Sequence, residues 1–402
     1  MKILFFTQYF WPENFRINEL IKYFSVNNNI SILTGYPSYP NKKIFENFDK
    51  KKIDNFLSNI EIHRIPIILR SKSNLSIILN YLTFIISSFF FGFFYILKNK
   101  YDVIFIFCPS PLFSALPVLI LNKIFKKKVV IWILDLWPDT VIDLNYIKSP
   151  LLIKVLKKIV KFIYNNSNLI LAQSMSMKKN IENITDTKCL YFPSWPEVGI
   201  NQNDSSYSEK INKKENYVTR ILFTGNIGEA QSFDTLVNAA ILLKKNYKIE
   251  WLILGDGRWK ENFRNLVKKN NLEKNIKFFP SVPISEVKSY INHADALYLS
   301  LKKNNTFFKT IPGKLQTYML MQKPIIASIS GETNKIINDS NCGIAGEAED
   351  VEQLVKNVKE FIKLNENQKK RMGLNGKEYV IKHFNKDKIL NNLDDEIQNL
   401  LN

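Results

Sequence analysis

The sequence predicts an α/β protein built from two doubly wound parallel-sheet domains. Three observations predict it. Short, wholly apolar segments alternate with helical patterns through most of the chain. A polar, nearly featureless stretch at 199–217 divides that alternation in two. The 402 residues, 46 % of them apolar, are too many for one ordinary core and apolar enough to pack two.

In the first half, strands are expected at 2–7, 30–34, 61–65, 102–107, 129–134 and 168–172. They are apolar on both faces and end at polar, Gly, Pro or Asn residues, as strands covered on both sides must. Helical patterns lie between them, for instance from Leu151 to Tyr164. This half is taken as one domain, 1–198, and 199–217 as its linker. In the second half, strands are expected near 219–224, 249–254, 276–279, 296–299 and 324–328, within a domain spanning 218–382. The remainder, 383–402, reads as a separate terminal helix. Ligands of open parallel sheets bind at the carboxyl ends of the strands, so two such sheets would face a cleft.

One segment breaks the pattern. Leu75 to Leu97 holds no charged residue and is long enough to span a bilayer. It lies between strands expected to share one sheet, which argues against a span, and Asn80, Ser87, Ser88 and Gly92 interrupt it. A buried helix, a spanning helix, and a helix with one face on the sheet and the other in the lipid interface all remain. The nearly all-round apolarity, with Arg70, Lys72, Lys98 and Lys100 at its ends, favours the interfacial reading.

The formal net charge is +19. Residues 1–200 carry 25 basic and 13 acidic side chains; residues 201–402 carry 31 and 24. The basic first half suits an anionic membrane surface or phosphate-bearing substrates. Compositional drift toward lysine is the bland alternative. No nucleic-acid-binding motif is present, and nucleic acid is not expected as a partner. Cys108, Cys189 and Cys342 have no metal-ligand or redox spacing, which fits a reducing cytoplasm. The start, Met1 to Thr7, reads as a strand rather than a signal peptide.

Chemistry concentrates in a few places. Gly225-Asn226-Ile227-Gly228-Glu229-Ala230-Gln231 follows a buried strand and precedes a helix starting at Phe233. Backbone N–H groups in such a turn can hold a diphosphate; a plain tight turn is the alternative. Pro312-Gly313-Lys314 opens a second short helix, where a lysine and the helix N-terminus would both favour phosphate. Asp135 ends the strand Trp132-Ile133-Leu134 and suits an acceptor-side base or orienter, with a helix-capping role for Asp135 or Asp139 as the alternative. His63, His293 and His383 form no triad or ligand pattern.

Tyr9-Phe10-Trp11-Pro12-Glu13-Asn14-Phe15-Arg16, Asp135-Leu136-Trp137-Pro138-Asp139, the Gly225 turn and Ile311 to Met319 occur here in order. In that order the chain resembles retaining glycosyltransferases of the large bacterial family 4, which have the two-domain GT-B fold. Within it the chain is most similar to the branch building surface polysaccharides, including N-acetyl-L-fucosamine and colanic-acid-type transferases. The resemblance covers essentially the whole chain.

It implies a UDP-sugar donor held by Gly225, Asn226, Gly228, Gln231, Val282, Gly313, Lys314 and Gln316. Gln316 would meet the ribose, and the Pro280–Pro283 turn carrying Val282 would read the base. Lys314 and Asp135 would serve catalysis. Glu13, Asn14, Arg16 and Asp139 would border acceptor and phosphates. The terminal helix would cross back onto the first domain. The chain departs from the family where Asn226 and Gln231 replace basic residues, and where Phe308 and Gln316 replace a glutamate pair. The acceptor would be a polyprenyl-diphosphate-linked saccharide at the cytoplasmic face of the inner membrane, with the protein peripheral or monotopic. No metal or other cofactor is expected. A sugar-nucleotide epimerase of the same fold and a non-catalytic assembly scaffold are the competing readings.

Overall fold

The structure is a computed structural model; it describes residues 1–39, 60–71, 73–143, 145–197 and 218–402. The expected linker 199–217 and Lys72 lie outside the described residues. The chain divides into two compact units, Met1–Phe192 with Asp387–Asn402, and Pro193–Lys386.

The first unit is built on a parallel sheet. Its described strands are β1 (Lys2–Thr7), β2 (Asn29–Gly35), β3 (Ile60–Ile65), β4 (Val103–Cys108), β5 (Lys128–Ile133), β6 (Leu169–Ala172) and β7 (Cys189–Tyr191), in the order β3-β2-β1-β4-β5-β6-β7. β1 lies inside the sheet next to the central β4, with Phe5 beside Ile32 on one side and Phe105 on the other. The strand order reverses at β1 and β4, the place where doubly wound sheets present a ligand site at the strand carboxyl ends. β7 was not expected: three residues are too few to show a pattern, and it forms because Leu190 pairs with Leu171 at the sheet edge.

Three helices, Asn74–Lys98, Leu116–Phe125 and Pro150–Asn165, cover one face of this sheet. They share a core with alternate residues of β1, β4 and β5: Phe84, Val118 and Ile163 meet Leu4, Phe6, Ile104, Ile106, Val129 and Ile131. The helix Pro150–Asn165 starts where the sequence says it should, with Pro150 in its first turn and the Ser149 hydroxyl accepting from the Leu152 N–H.

The second unit has a parallel sheet of β8 (Thr219–Thr224), β9 (Ile249–Leu254), β10 (Ile276–Phe279), β11 (Ala296–Ser300), β12 (Ile325–Ser328) and β13 (Gly343–Gly346), ordered β10-β9-β8-β11-β12-β13. β13, Gly-Ile-Ala-Gly, also escaped the sequence reading, because its composition is that of a loop. It is a strand through its pairing with β12, Ile326 opposite Ile344.

Two boundaries shift from the expected ones. Pro193–Glu197 already belongs to the second unit: Trp195 is buried and the Glu197 N–H donates to Thr317 Oγ1 at 3.2 Å. At the other end, the helix Glu366–His383 packs in the second unit, with Val380 and Phe384 in its core. The last helix, Lys386–Leu401, belongs to the first. There Asn391 accepts from the Tyr23 hydroxyl and Glu396 pairs with Lys188.

Candidate functional site

The candidate site of the second unit forms where β8 and β9 end. Gly225, directly after β8, has φ +113°, a conformation that side-chain-bearing residues rarely adopt. A Cβ there would also lie 2.7 Å from Lys314 Cε and displace the end of that lysine. The Lys314 stem therefore lies across the glycine turn, and its ammonium sits 4.5 Å from the centre of the Phe223 ring. The helix Lys314–Leu320 is held in that position by Tyr318, whose buried hydroxyl accepts from the Thr224 N–H at 2.9 Å. Tyr318 is four residues from Lys314, so both fall on one helix face. That spacing was readable in the sequence, but the partner on β8 was not.

The turn after β9 braces the first turn. Gly225 N–H donates to Leu254 O and Ile227 N–H to Asp256 O, both at 2.8 Å. A Cβ on Gly255 would meet Gly225 O at 1.9 Å, and one on Gly257 would meet Ile227 O at 2.2 Å. Those two glycines exist for backbone contact within the protein. Gln231 closes the first turn, its Oε1 accepting from the Gly228 N–H at 2.9 Å. The N–H groups of Gly225, Ile227 and Gly228 are thus bound internally, and Asn226 stands exposed at the tip. A diphosphate cradle made of all these amides does not fit this arrangement. Gln231 shapes the turn instead of reaching outward.

Lys314 is half-buried, and burial pulls its pKa down to about 8, against the opposing influence of Glu197. Gly313, which precedes it, is exposed, and a Cβ there would meet no atom within 4 Å. Open space therefore lies above the first turn of this helix. Gln316 is fully buried; with its amide oriented to suit its partners, the nitrogen donates to Pro312 O and Gly313 O at 3.1 and 3.2 Å. The amide supports the Gly313 turn from below, in a place where a glutamate would find carbonyl oxygens and repulsion. Val282 is half-buried against the second core, in the turn after β10. The Phe308 carbonyl packs on Gly331, which has φ +76° and where a Cβ would come within 2.1 Å.

In the first unit, Asp135 follows β5. Burial pushes its carboxyl up to about 6, with a hydrogen bond to Ser110 opposing the shift. Ser110 also accepts from Trp137 Nε1 at 3.2 Å, so one serine ties both ends of the Asp135–Trp137 loop. Asp139 opens the short helix Asp139–Asp143 and is half-buried.

Glu13 departs from its expected place among outward-facing acceptor residues. It is 2 % exposed, and its carboxylate accepts from the N–H groups of Phe10 (3.1 Å), Ser38 (2.8 Å) and Tyr39 (2.6 Å). It pins two loops at the carboxyl ends of β1 and β2. Its pKa is pushed to about 7 by burial, opposed by those three bonds and by the Arg64 charge. Asn14 is exposed beside it, and Arg16 opens the helix Arg16–Phe24, 3.7 Å from Glu19. His63 meets Glu61 at 2.8 Å, His293 Nδ1 the Ser289 carbonyl at 2.8 Å, and His383 the Tyr379 ring at 4.3 Å. Among the described residues no three His, Cys, Asp or Glu side chains gather as metal ligands.

Comparison with known proteins follows the same division. Residues 203–379 match the family of glycosyl transferases group 1. A protein of Escherichia coli K12 assigned to colanic acid biosynthesis as the glycosyl transferase WcaI is 23 % identical over 425 residues, covering 99 % of this chain and 100 % of its own. HepE of Anabaena, crystallised with UDP and glucose, has a TM-score of 0.70 at 12 % identity, covering 99 % of this chain and 100 % of that one. Sucrose-phosphate synthase of Thermosynechococcus elongatus has a TM-score of 0.74 at 14 % identity, covering 99 % and 98 %. The chain has the two-domain parallel-sheet fold of GT-B glycosyltransferases, and the match to the glycosyl transferases group 1 family falls in its second half.

Proposed function

We propose that this protein transfers a sugar from a UDP-sugar to a polyprenyl-diphosphate-linked saccharide, retaining the anomeric configuration, during surface-polysaccharide synthesis. The observation that carries the reading is Lys314 laid across the Gly225 turn inside the group 1 region. A cation at a helix start, beside a turn with no side chain, meets the leaving diphosphate where its charge grows. UDP as the nucleotide is supported by HepE, which was crystallised with UDP, and surface polysaccharide by the assignment of WcaI to colanic acid biosynthesis. An N-acetylated amino or deoxyamino sugar, such as N-acetyl-L-fucosamine, is the donor the sequence resemblance favours.

In this reading Lys314 and the open helix start above Gly313 hold the diphosphate, with Asn226 at the turn tip beside it. The base lies along the turn carrying Val282. The acceptor hydroxyl attacks from the side on which UDP leaves, and the donor phosphate receives its proton, so no strong protein base is required; Lys314 and the helix start carry the leaving charge in place of a divalent metal. Asp135, with its carboxyl near 6, is ionised at neutral pH and orients the acceptor. Asn14, Arg16 and Asp139 border the acceptor.

The protein works at the cytoplasmic face of the inner membrane, held as a monotopic protein. The helix Asn74–Lys98 supports this, being long and apolar enough to cross a membrane yet only 22 % buried over its most apolar stretch. Exposed Ile120, Ile124, Leu151, Leu152 and Val155 extend its apolar surface over the neighbouring helices. Lys154, Lys157, Lys158 and Lys161 add positive charge for anionic lipid.

The test is transfer from a panel of labelled UDP-sugars to polyprenyl-diphosphate saccharides by the purified protein in vesicles. A labelled lipid product from one UDP-sugar is expected, lost in Lys314→Ala. Stabilisation by no nucleotide diphosphate in a folded sample would overturn the reading.

A further inference from the structure

Arg70 sits at the carboxyl end of the first sheet in an aromatic box. Its Nη1 donates to the hydroxyls of Tyr9 and Tyr81, both at 3.2 Å. Its guanidinium carbon lies 5.0 Å from the ring centre of Tyr39 and 5.8 Å from that of Tyr81. Its Nε is buried and has no hydrogen-bond partner among the described residues. Among the described residues no carboxylate lies within ion-pair distance of it. Glu13, an acid of the same loop cluster, is committed to three backbone N–H groups. Phenol oxygens and ring faces stabilise a guanidinium but leave its full positive charge uncompensated.

The surroundings say which anion. Tyr9 follows β1 and Tyr39 follows β2, so the box stands at the strand ends where open parallel sheets take ligands. Tyr81 belongs to the helix Asn74–Lys98, whose outer face is apolar and exposed. Ile68 and Leu69, the residues just before Arg70, are also exposed. The charge therefore stands where the apolar surface meets the polar rim of the sheet. A ligand with an anionic head and a long hydrocarbon tail satisfies both at once.

Resting on the acceptor class proposed above, we infer that Arg70, framed by Tyr9, Tyr39 and Tyr81, binds the diphosphate of the lipid-linked acceptor, with the prenyl chain running along the exposed face of the helix Asn74–Lys98. Guanidinium donors match phosphoryl oxygens, and the tyrosine hydroxyls are additional donors once an anion arrives. The box fixes the lipid end of the acceptor.

The experiment measures binding of the full-length protein to three kinds of vesicle: phosphatidylcholine alone, with phosphatidylglycerol, and with a polyprenyl diphosphate. Wild type, Arg70→Gln, Arg70→Lys and Tyr81→Phe are compared. The wild type is expected to bind best to vesicles with polyprenyl diphosphate. Arg70→Gln is expected to lose about tenfold or more of that increment, Tyr81→Phe a smaller part, and Arg70→Lys to lie between wild type and Arg70→Gln. Binding to the phosphatidylglycerol vesicles is expected to persist in all four.

Equal loss on phosphatidylglycerol would assign the box to ordinary headgroup phosphate and overturn the diphosphate assignment. Unchanged binding of Arg70→Gln to polyprenyl diphosphate would overturn the site altogether. Stabilisation by UDP, which reports on the second unit, is read on the same samples. If UDP binds and Arg70→Gln is silent, this inference fails and the transferase reading stands. If UDP does not bind, the transferase reading itself fails.

Discussion

Lys314 shows how one side chain can be poised by its surroundings. Burial lowers its pKa to about 8 from the usual 10.5, so the unfolded chain holds more protons between those values. Its contribution to stability therefore rises as pH increases from 8 to 10.5 and is flat below. Ligand binding runs the other way, because a diphosphate needs the ammonium form. UDP affinity measured by calorimetry is expected to fall as pH passes 8, and Lys314→Ala to weaken it about tenfold or more at pH 7. Glu13 has the opposite sense. Its pKa, raised from 4.5 to about 7, makes the native state the better proton binder in that interval, so this group's contribution to stability declines as pH rises through it. Glu13→Ala leaves the N–H groups of Phe10, Ser38 and Tyr39 without their acceptor, the first two of them buried. A loss of about 2 kcal/mol in urea unfolding is expected. Asp135→Asn is expected to lower turnover while leaving UDP binding intact, and wild-type turnover to rise with pH through about 6 as this carboxyl ionises.

The helix Asn74–Lys98 inverts the usual amphipathic rule. Its buried stripe is Asn80, Phe84, Ser88, Gly92 and Ile96, spaced four apart, so small and polar residues share the sheet-facing side with Phe84 and Ile96. The Asn80 side chain accepts from Gln8 Nε2 at 2.8 Å and donates to Ile68 O at 2.6 Å. The bulky residues point outward, with Phe94 67 %, Leu75 66 % and Phe90 61 % exposed. Three of the interruptions seen in the sequence, Asn80, Ser88 and Gly92, thus lie on the packing face, and much of the apolar remainder stands outside the core. A contiguous apolar surface of this kind marks a membrane or partner contact. Replacing Leu82, Ile86 and Phe90 together by serine is expected to release the protein from vesicles in flotation without lowering its melting temperature, since all three side chains stand outside the core. Retention on vesicles would remove this helix from the membrane contact.

For the whole molecule, charge and chain crossing matter most. A net charge of +19 predicts attachment to anionic vesicles that weakens as salt is raised from about 0.05 to 0.5 M, where the screening length drops severalfold. The apolar component should persist at high salt. The last helix returns to the first unit, burying Leu390, Leu393 and Ile397. Truncation before Lys386 is expected to lower the melting of the first unit while the UDP-stabilised transition of the second is kept. Loss of both transitions together would mean that the units do not melt independently.

Much of this was legible in the chain. The alternation of short apolar runs and helices determined two parallel sheets, because strands covered on both faces must be apolar throughout. The glycine turn after β8 and the Pro-Gly-Lys turn were visible for a similar reason: backbone geometry and helix starts restrict residue choice locally. What only the tertiary structure decided is how those pieces are used. It laid Lys314 on Gly225, turned Gln231 and Gln316 inward, committed Glu13 to three amides and boxed Arg70 in tyrosines. It also made strands of Cys189–Tyr191 and Gly343–Gly346, and sorted one apolar segment into a mixed inner stripe and an apolar outer face. A hydrogen bond or burial between residues far apart in sequence leaves no periodicity and no spacing behind. Local preference could therefore specify the elements and their turns, while the direction each side chain faces was settled by neighbours that only the folded chain brings together.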